Sequence, residues 1–504
     1  MKPLVDLPKD IWCGKIIQFV HVYDLVRLES AVSNHGDRDV LLRNISGANL
    51  TDFIIDENDH NTIPWLVSHN ILPLRVTLEK PVHLTCEKWI DLFFSQAKDL
   101  HFNFRGEIKN LRDIIGASFK TVSSICIKGS VLHSLGSVAI CRKLSSLHLI
   151  GCEEIDEHEL TESLRNCNIY DLKIHDPSQL SDQFFTDIFA LLPSLRSLEL
   201  ISLRNWDPIL NGITGQTNIR RFDCEYGTVG SATITAIARC MPLLEVLILG
   251  GNVERREQPQ VLESDIDLLV RSCPRITELA LMQLPTVGDA AAASIARHLP
   301  SLESLTLMLC TLSDVGLGLI TSHCALLRSI SLPLVFKITD AGIRALGLQC
   351  TRLEHLDVQF DWNLTDGAFD TLNTATLRSI NLSKVNLTGE FMKSLFREGS
   401  VLTRLTCDSN RSNFSTFVNF LSPDNRLQEL SLTRGTWTQP EWMELSCRLS
   451  RLRRLNLSGC SAVDEEVVRS FVEHNPQLLT FTLHRCREVP RQLFQEFACL
   501  RDLE

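Results

Sequence analysis

The sequence predicts an α/β solenoid: a stack of strand–turn–helix–turn units with a parallel inner sheet and outer helices, preceded by a small all-α segment. Three observations predict it. An apolar-x-x-apolar-x-apolar pattern returns about every 25 residues, a helix-opening polar residue follows each copy, and the composition is that of ordinary soluble globular material.

The repeated pattern comes first in the argument. It runs from Ala97/Leu100/Phe102 and Val122/Ile125/Ile127 through Leu144/Leu147/Leu149, Leu302/Leu305/Leu307 and Leu353/Leu356/Val358 to Leu478/Phe481/Leu483. That is sixteen copies and fifteen intervals, thirteen of them 24 to 26 residues, with one of 22 and one of 32. A weaker copy at Val76/Leu78 and a truncated one at Leu500/Leu503 bring the expected array to about 16–17 repeats. Leucine is too common for one copy to carry meaning, but sixteen in phase are not chance. Apolar residues two apart have strand periodicity.

The helix of each unit is opened by Ser313-Asp314, Thr339-Asp340, Thr365-Asp366 or Val463-Asp464, whose oxygens can accept from the free amides of a first helical turn. One such unit cannot bury its own apolar face, so the copies must stack.

Length, charge and cysteines then sort the function classes. The 504 residues suggest either about three domains or one repeat array, and the repeat chooses the array. Lys+Arg total 50 against 61 Asp+Glu, a net charge of −11 without blocks, which disfavours nucleic-acid and anionic-membrane binding. No stretch approaches 18 apolar residues, so no membrane partner is expected. Seventeen cysteines without tight spacing, behind a start that lacks a secretory apolar region, predict reduced thiols and a cytoplasmic and/or nuclear location. Cys152, Cys310, Cys460 and Cys486 fall eight residues after a repeat's first apolar position, and Cys141, Cys273, Cys324 and Cys350 three before one. Periodic placement predicts buried structural thiols rather than a zinc site.

The array resembles leucine-rich repeats of the cysteine-containing subtype, L-x-x-L-x-L-x-x-C followed by I-T-D-x-G-L and a helix ending near a second Cys. Leu302 to Cys310 with Ser313-Asp314-Val315-Gly316-Leu317 and Cys324 matches, as does Ile338-Thr339-Asp340-Ala341-Gly342-Ile343 with Cys350. The first-Cys position departs from the pattern at Asn252, Asp361, Val385 and Asn410, where different turns are expected.

The amino-terminal residues lie outside the period. Leu7-Pro8-Lys9-Asp10-Ile11-Trp12 with Ile16, Ile17, Phe19 and Val20 predicts a helix with Pro near its start, and Asp24-Leu25-Val26-Arg27-Leu28 a second. This stretch resembles an F-box, with one extra residue between Leu-Pro and Asp-Leu and Ser33-Asn34-His35 in place of the usual closing Trp. The expected organisation is 1–45 F-box-like helices, 46–72 linker or N-terminal cap, and 73–504 leucine-rich-repeat solenoid. A helical cap on the first repeat is the other reading of the head.

Together the two resemblances imply a non-catalytic substrate receptor of an SCF-type ubiquitin ligase. Leu7, Pro8, Ile11, Trp12, Ile16, Leu25 and Leu28 would bind a Skp-family adaptor and through it a cullin. The repeats would bind a protein substrate, at a less polar stretch formed by Val246, Ile248, Met282, Met308, Pro333, Phe336, Phe360 and Trp362. Turn residues also tuck inward, so these eight remain candidates. The 32-residue interval inserts the polar loop Gly250–Pro259 beside them, either a binding edge or a tolerated excursion.

No enzyme activity, cofactor or metal is expected. There is no G-x-x-x-x-G-K, H-E-x-x-H or G-x-S-x-G motif, and Cys486 beside His484 is an in-phase repeat position. A protein-binding scaffold or inhibitor unrelated to ubiquitin is the alternative from the same residues.

Overall fold

The computed structural model describes residues 41, 49–50, 53–55, 62–78, 92–107, 120–131 and 138–501, the last apart from 204–205, 207–208, 210–212, 214, 216, 226, 228, 252–260, 409–413, 422–423 and 498. The F-box-like residues Leu7 to Leu28 and most of the inserted loop therefore lie outside the described residues. The chain divides into two compact units, 1–227 and 228–504.

Besides a short parallel pair, Asn49–Leu50 with Leu72–Pro73, the main sheet of the first unit has the strands β1 (Phe53–Ile55), β2 (Arg75–Leu78), β3 (Asp99–Glu107), β4 (Ser124–Val131), β5 (Ser146–Ile150), β6 (Asp171–His175), β7 (Ser197–Ile201) and β8 (Arg221–Cys224). Each pairs in parallel with its sequence neighbours. One row in register, Phe53, Val76, Leu100, Ile125, Leu147, Leu172, Leu198 and Phe222, is buried along its whole length. This is the first apolar position of each strand, and its neighbours two residues on (Leu78, Phe102, Ile127, Leu149, Ile174, Leu200, Cys224) form the second buried row. The sheet thus begins at Phe53, inside the stretch expected as linker or cap.

In the second unit the strands are β9 (Val246–Gly250), β10 (Glu278–Met282), β11 (Ser304–Met308), β12 (Ser329–Ser331), β13 (His355–Asp357), β14 (Ser379–Asn381), β15 (Arg404–Thr406), β16 (Glu429–Ser431), β17 (Arg454–Asn456), β18 (Thr480–Thr482) and β19 (Leu500–Arg501). Their first-position row runs Leu247, Leu279, Leu305, Ile330, Leu356, Ile380, Leu405, Leu430, Leu455, Phe481 and Leu500 in parallel register. Ten-residue helices such as Asp314–His323 and Asp340–Gln349 pack on the covered side through Leu317 and Ile320, and through Ile343 and Leu346.

Three ladders tie neighbouring repeats together. The in-phase thiols make the first: Cys152 donates to Ile127 O at 3.4 Å, Cys310 to Leu281 O at 3.5 Å and Cys486 to Leu457 O at 3.2 Å. The second Cys position does the same at a helix end, with Cys324 to Leu299 O and Cys273 to Met241 O, both 3.4 Å. At the end of the helix Glu465–His474, Asn475 holds that place and bonds both Leu449 O and Leu452 N–H. Burial pushes the Cys273, Cys310, Cys350 and Cys460 thiols up to about 12, so they pack as inert groups.

The second ladder explains the Ser/Thr-Asp-x-Gly motif. Thr339 Oγ1 caps its own helix by accepting from Ala341 N–H at 3.2 Å, while its N–H and hydroxyl donate to Asp314 of the preceding repeat at 2.9 and 2.6 Å. Ser313 with Asp289, and Thr365 with Asp340, repeat the arrangement. The motif's glycine leaves room for that carboxylate, since a β-carbon on Gly342 would overlap Asp314 Oδ1.

A left-handed residue just past each strand makes the third ladder. Gln283, Leu309, Leu334, Phe360, Lys384 and Arg434 have φ between 54° and 61° or at 62°. Such a backbone costs about 1 kcal/mol without glycine. Each is held by donating its N–H into the next repeat: Gln283 to Met308 O at 2.8 Å, Phe360 to Ser383 O at 2.8 Å and Lys384 to Asp408 O at 2.9 Å.

Candidate protein-binding surfaces

Strand alternation sends one set of side chains into the core and the other to the open face of the sheet, away from the helices. In the first unit the open face carries charge. Ser146, Asp171, Ser197 and Arg221 form one row in register, and His148, Lys173, Glu199 and Asp223 the next. His148 Nε2 lies 2.6 Å from Asp171 Oδ2; Lys173 Nζ and His175 Nε2 lie 2.7 Å from the two oxygens of Glu199. Burial opposes charge on His148, but hydrogen bonds to Asp171 and Cys126 override it and raise the imidazole to about 9. The His175 hydrogen bond, against some desolvation and with help from Lys173, holds Glu199 down to about 2. Asp223 is the exception. Burial first, then the negative Glu225 and Glu199, raise it to about 7, and its Oδ1 has no hydrogen-bond partner.

In the second unit the open face is less polar over its first three strands, and the eight sequence-derived candidates separate. Met282 and Met308 are in register and half-buried, as is Val246. Ile248 and Pro333 are buried and contribute packing rather than surface. Phe336 and Trp362, in the turns of adjacent repeats, are 45 % and 67 % exposed with ring centroids 5.9 Å apart. Phe360 is half-buried beneath Lys384, whose Nζ sits 4.2 Å from the ring centroid. Rings of this size left open on a polar surface are the kind of anchor that dominates protein interfaces.

The turn beneath these rings is tightly specified. Asp361 Oδ1 accepts from Asn363 N–H at 3.2 Å, and Asn363 Nδ2 donates to the Phe336 carbonyl, joining the two aromatic turns. Sequence reasoning missed Lys384 and Asn363. Lys384 stands one repeat after Phe360 at the same left-handed position, which only the backbone geometry reveals. Asn363 left no signal, since its partner is a backbone carbonyl.

Among the described residues no group of three His, Cys, Asp or Glu is placed to hold a metal ion, and no helix is long and apolar enough to cross a membrane. No protein-family model matches the chain. Similar solved structures include an internalin of Listeria monocytogenes, 15 % identical, covering 72 % of this chain and 87 % of that one with a TM-score of 0.37. Another is the complex of Rad7 and Elc1 in yeast, 14 % identical, covering 97 % of this chain and 90 % of that one with a TM-score of 0.31. The parallel register, the phased thiols and the Ser/Thr-Asp ladder of the chain itself make its fold a leucine-rich-repeat α/β solenoid.

Proposed function

We propose that this chain is a non-catalytic substrate-recognition subunit of an SCF-type ubiquitin ligase working in the cytoplasm or nucleus. The repeats bind a protein substrate, and the amino-terminal residues Leu7, Pro8, Ile11, Trp12, Ile16, Leu25 and Leu28 bind a Skp-family adaptor that leads to a cullin. The observation that carries substrate binding is the exposed Phe336–Trp362 pair, its rings in tilted contact, which no packing requirement of its own repeats explains. The adaptor half is supported by the Leu-Pro-x-Asp-Ile-Trp and Asp-Leu-x-x-Leu pattern of the sequence. Such a subunit acts by proximity, raising the local concentration of substrate lysines near activated ubiquitin.

Affinity purification with mass spectrometry tests both halves. The full chain is expected to capture a Skp-family adaptor and at least one further protein. Leu7→Ala with Pro8→Ala removes the adaptor alone; Phe336→Ala with Trp362→Ala removes the further protein alone, with a loss of about 2 kcal/mol or more per anchor. An intact chain that captures a protein through Trp362 but no adaptor would leave a scaffold outside ubiquitin transfer. A chain starting at residue 46 serves better than one starting at Pro73, because the latter removes the strand that pairs with Arg75–Leu78.

A further inference from the structure

Asp361 stands where the repeat pattern places its first cysteine. In four repeats that position is a thiol donating to a strand carbonyl of the preceding repeat: Cys152 to Ile127, Cys310 to Leu281, Cys460 to Leu432 and Cys486 to Leu457. Every acceptor is the sixth residue of its repeat, counted from the first apolar position. The same offset before Asp361 reaches Leu332, whose carbonyl lies in the buried run of its repeat.

A carboxylate cannot take over the thiol's role, because it only accepts. Asp361 is 0 % exposed, its Oδ1 is used by Asn363, and its Oδ2 has no partner. A buried, half-unsatisfied carboxylate costs several kcal/mol in its charged form. Protonation of Oδ2 removes the charge and creates a donor at the place where four other repeats carry one.

We infer that Asp361 is a proton-controlled latch under the aromatic surface. With a proton on Oδ2 it donates to the Leu332 carbonyl as cysteine does to the equivalent carbonyl in those four repeats; without it, a buried unpaired charge loosens the turn that presents Phe336 and Trp362. The connection is short, since Phe360 and Trp362 flank Asp361 in sequence, and Asn363, bonded to Asp361, holds the Phe336 carbonyl.

The surrounding charges favour the neutral form. Burial first, against the hydrogen bond from Asn363 and with help from Asp314 and Asp340 of the two preceding repeats, raises the group to about 6. Lys337 of the preceding turn is exposed, and Lys384 of the following one is engaged on the Phe360 ring. His355 and Asp357, on the strand before the turn, are the other titratable neighbours; Asp366 opens the helical turn after it. The sign follows from the raised value. The latch is fully closed below the unfolded value of 3.8 and released as pH rises through about 6.

This deepens the proposed function by giving the same surface a pH dependence, and it rests on that function only for the surface's purpose. The experiment is hydrogen exchange of the full chain without partner, following amides 358–364 at pH 4.5 and 7.5 after correction for the intrinsic rate. The wild-type opening constant is expected to rise roughly twentyfold, the ratio that values of 3.8 and about 6 dictate. Asp361→Asn, a neutral amide donor, and Asp361→Cys, the residue of the other repeats, are each expected to reduce the rise to less than about twofold. A flat wild type overturns the latch. So does an undiminished rise in both variants, which would assign it to His355 or Asp357. With no partner in the cell, failure here leaves the substrate reading untouched, and failed protein capture leaves the latch standing.

Discussion

Replacing Gly342 by alanine should destabilise the chain, and removing Asp314 should turn the same replacement into a stabilising one. A β-carbon at 342 would overlap Asp314 Oδ1, with Cγ at 3.0 Å and Cα at 3.5 Å as its next neighbours. To make room the carboxylate must leave Thr339, losing bonds of 2.9 Å to the N–H and 2.6 Å to the hydroxyl. Hydrogen bonds to a charged acceptor contribute about 1.5–3 kcal/mol when buried, and both here are exposed, so the pair is worth about 2–3 kcal/mol together. Alanine returns about 0.5–1 kcal/mol of helix propensity at this position. The net cost of Gly342→Ala is then about 1–2.5 kcal/mol. In an Asp314→Ala background the overlapping atoms are gone, and the substitution should gain about 0.5–1 kcal/mol. Native-state hydrogen exchange of the Asp340–Gln349 amides measures all four corners of the cycle without assuming that a repeat array unfolds in one step. Equal costs of Gly342→Ala in both backgrounds would refute the reasoning, because the glycine would then serve something other than the carboxylate.

The remaining predictions concern titration and thiols. His148→Asn should cost about 1–2 kcal/mol, discounted for partial exposure. The cost should be largest between about pH 4 and 6.5, because the raised imidazole loses its contribution as pH climbs through about 9, and the depressed Asp171 loses its own as pH falls towards about 2. Urea unfolding at pH 5.5 and 10 checks this, and a pH-independent cost would remove the ion pair as its cause. Among the described thiols, brief alkylation of the native chain should mark the exposed Cys447 first. Cys310 and Cys350, raised from 9.0 to about 12, should react about a thousandfold more slowly than an ordinary thiol at equal access, and peptide mapping that finds them labelled early would contradict their burial.

How much of this was legible depended on where the physical constraint lies. Core rows such as Leu279, Leu305 and Ile330 can be read because burial demands apolar side chains at a fixed interval, and the cysteine positions because a small buried donor is needed there. The left-handed ladder could not be read. Its backbone is held by an N–H bond to the next repeat, so Gln283, Leu309, Phe360 and Lys384 occupy it with no shared chemistry. Among the candidate surface residues, hydrophobicity alone could not separate Ile248 and Pro333, which are buried, from Phe336 and Trp362, which are not. The departure at Asp361 was visible as a broken pattern, but its meaning required the geometry of the intact cysteine positions.

The Ser/Thr-Asp ladder also divides the second unit by mechanical compliance. From Asp289 to Phe391 each helix start is bolted to the repeat before it, through Asp289, Asp314, Asp340 and Asp366, the last reaching Thr388, Gly389 and Phe391. Later helix starts are joined differently: Thr438 is capped by its own Glu441 and Asp464 caps Val467 within one turn, while the side chain of Gln439 reaches Asp464 and Glu466 of the next repeat at 2.6 and 3.0 Å. The rings of Phe336 and Trp362 sit on the bolted stretch, a stiff platform that a partner must fit as it stands.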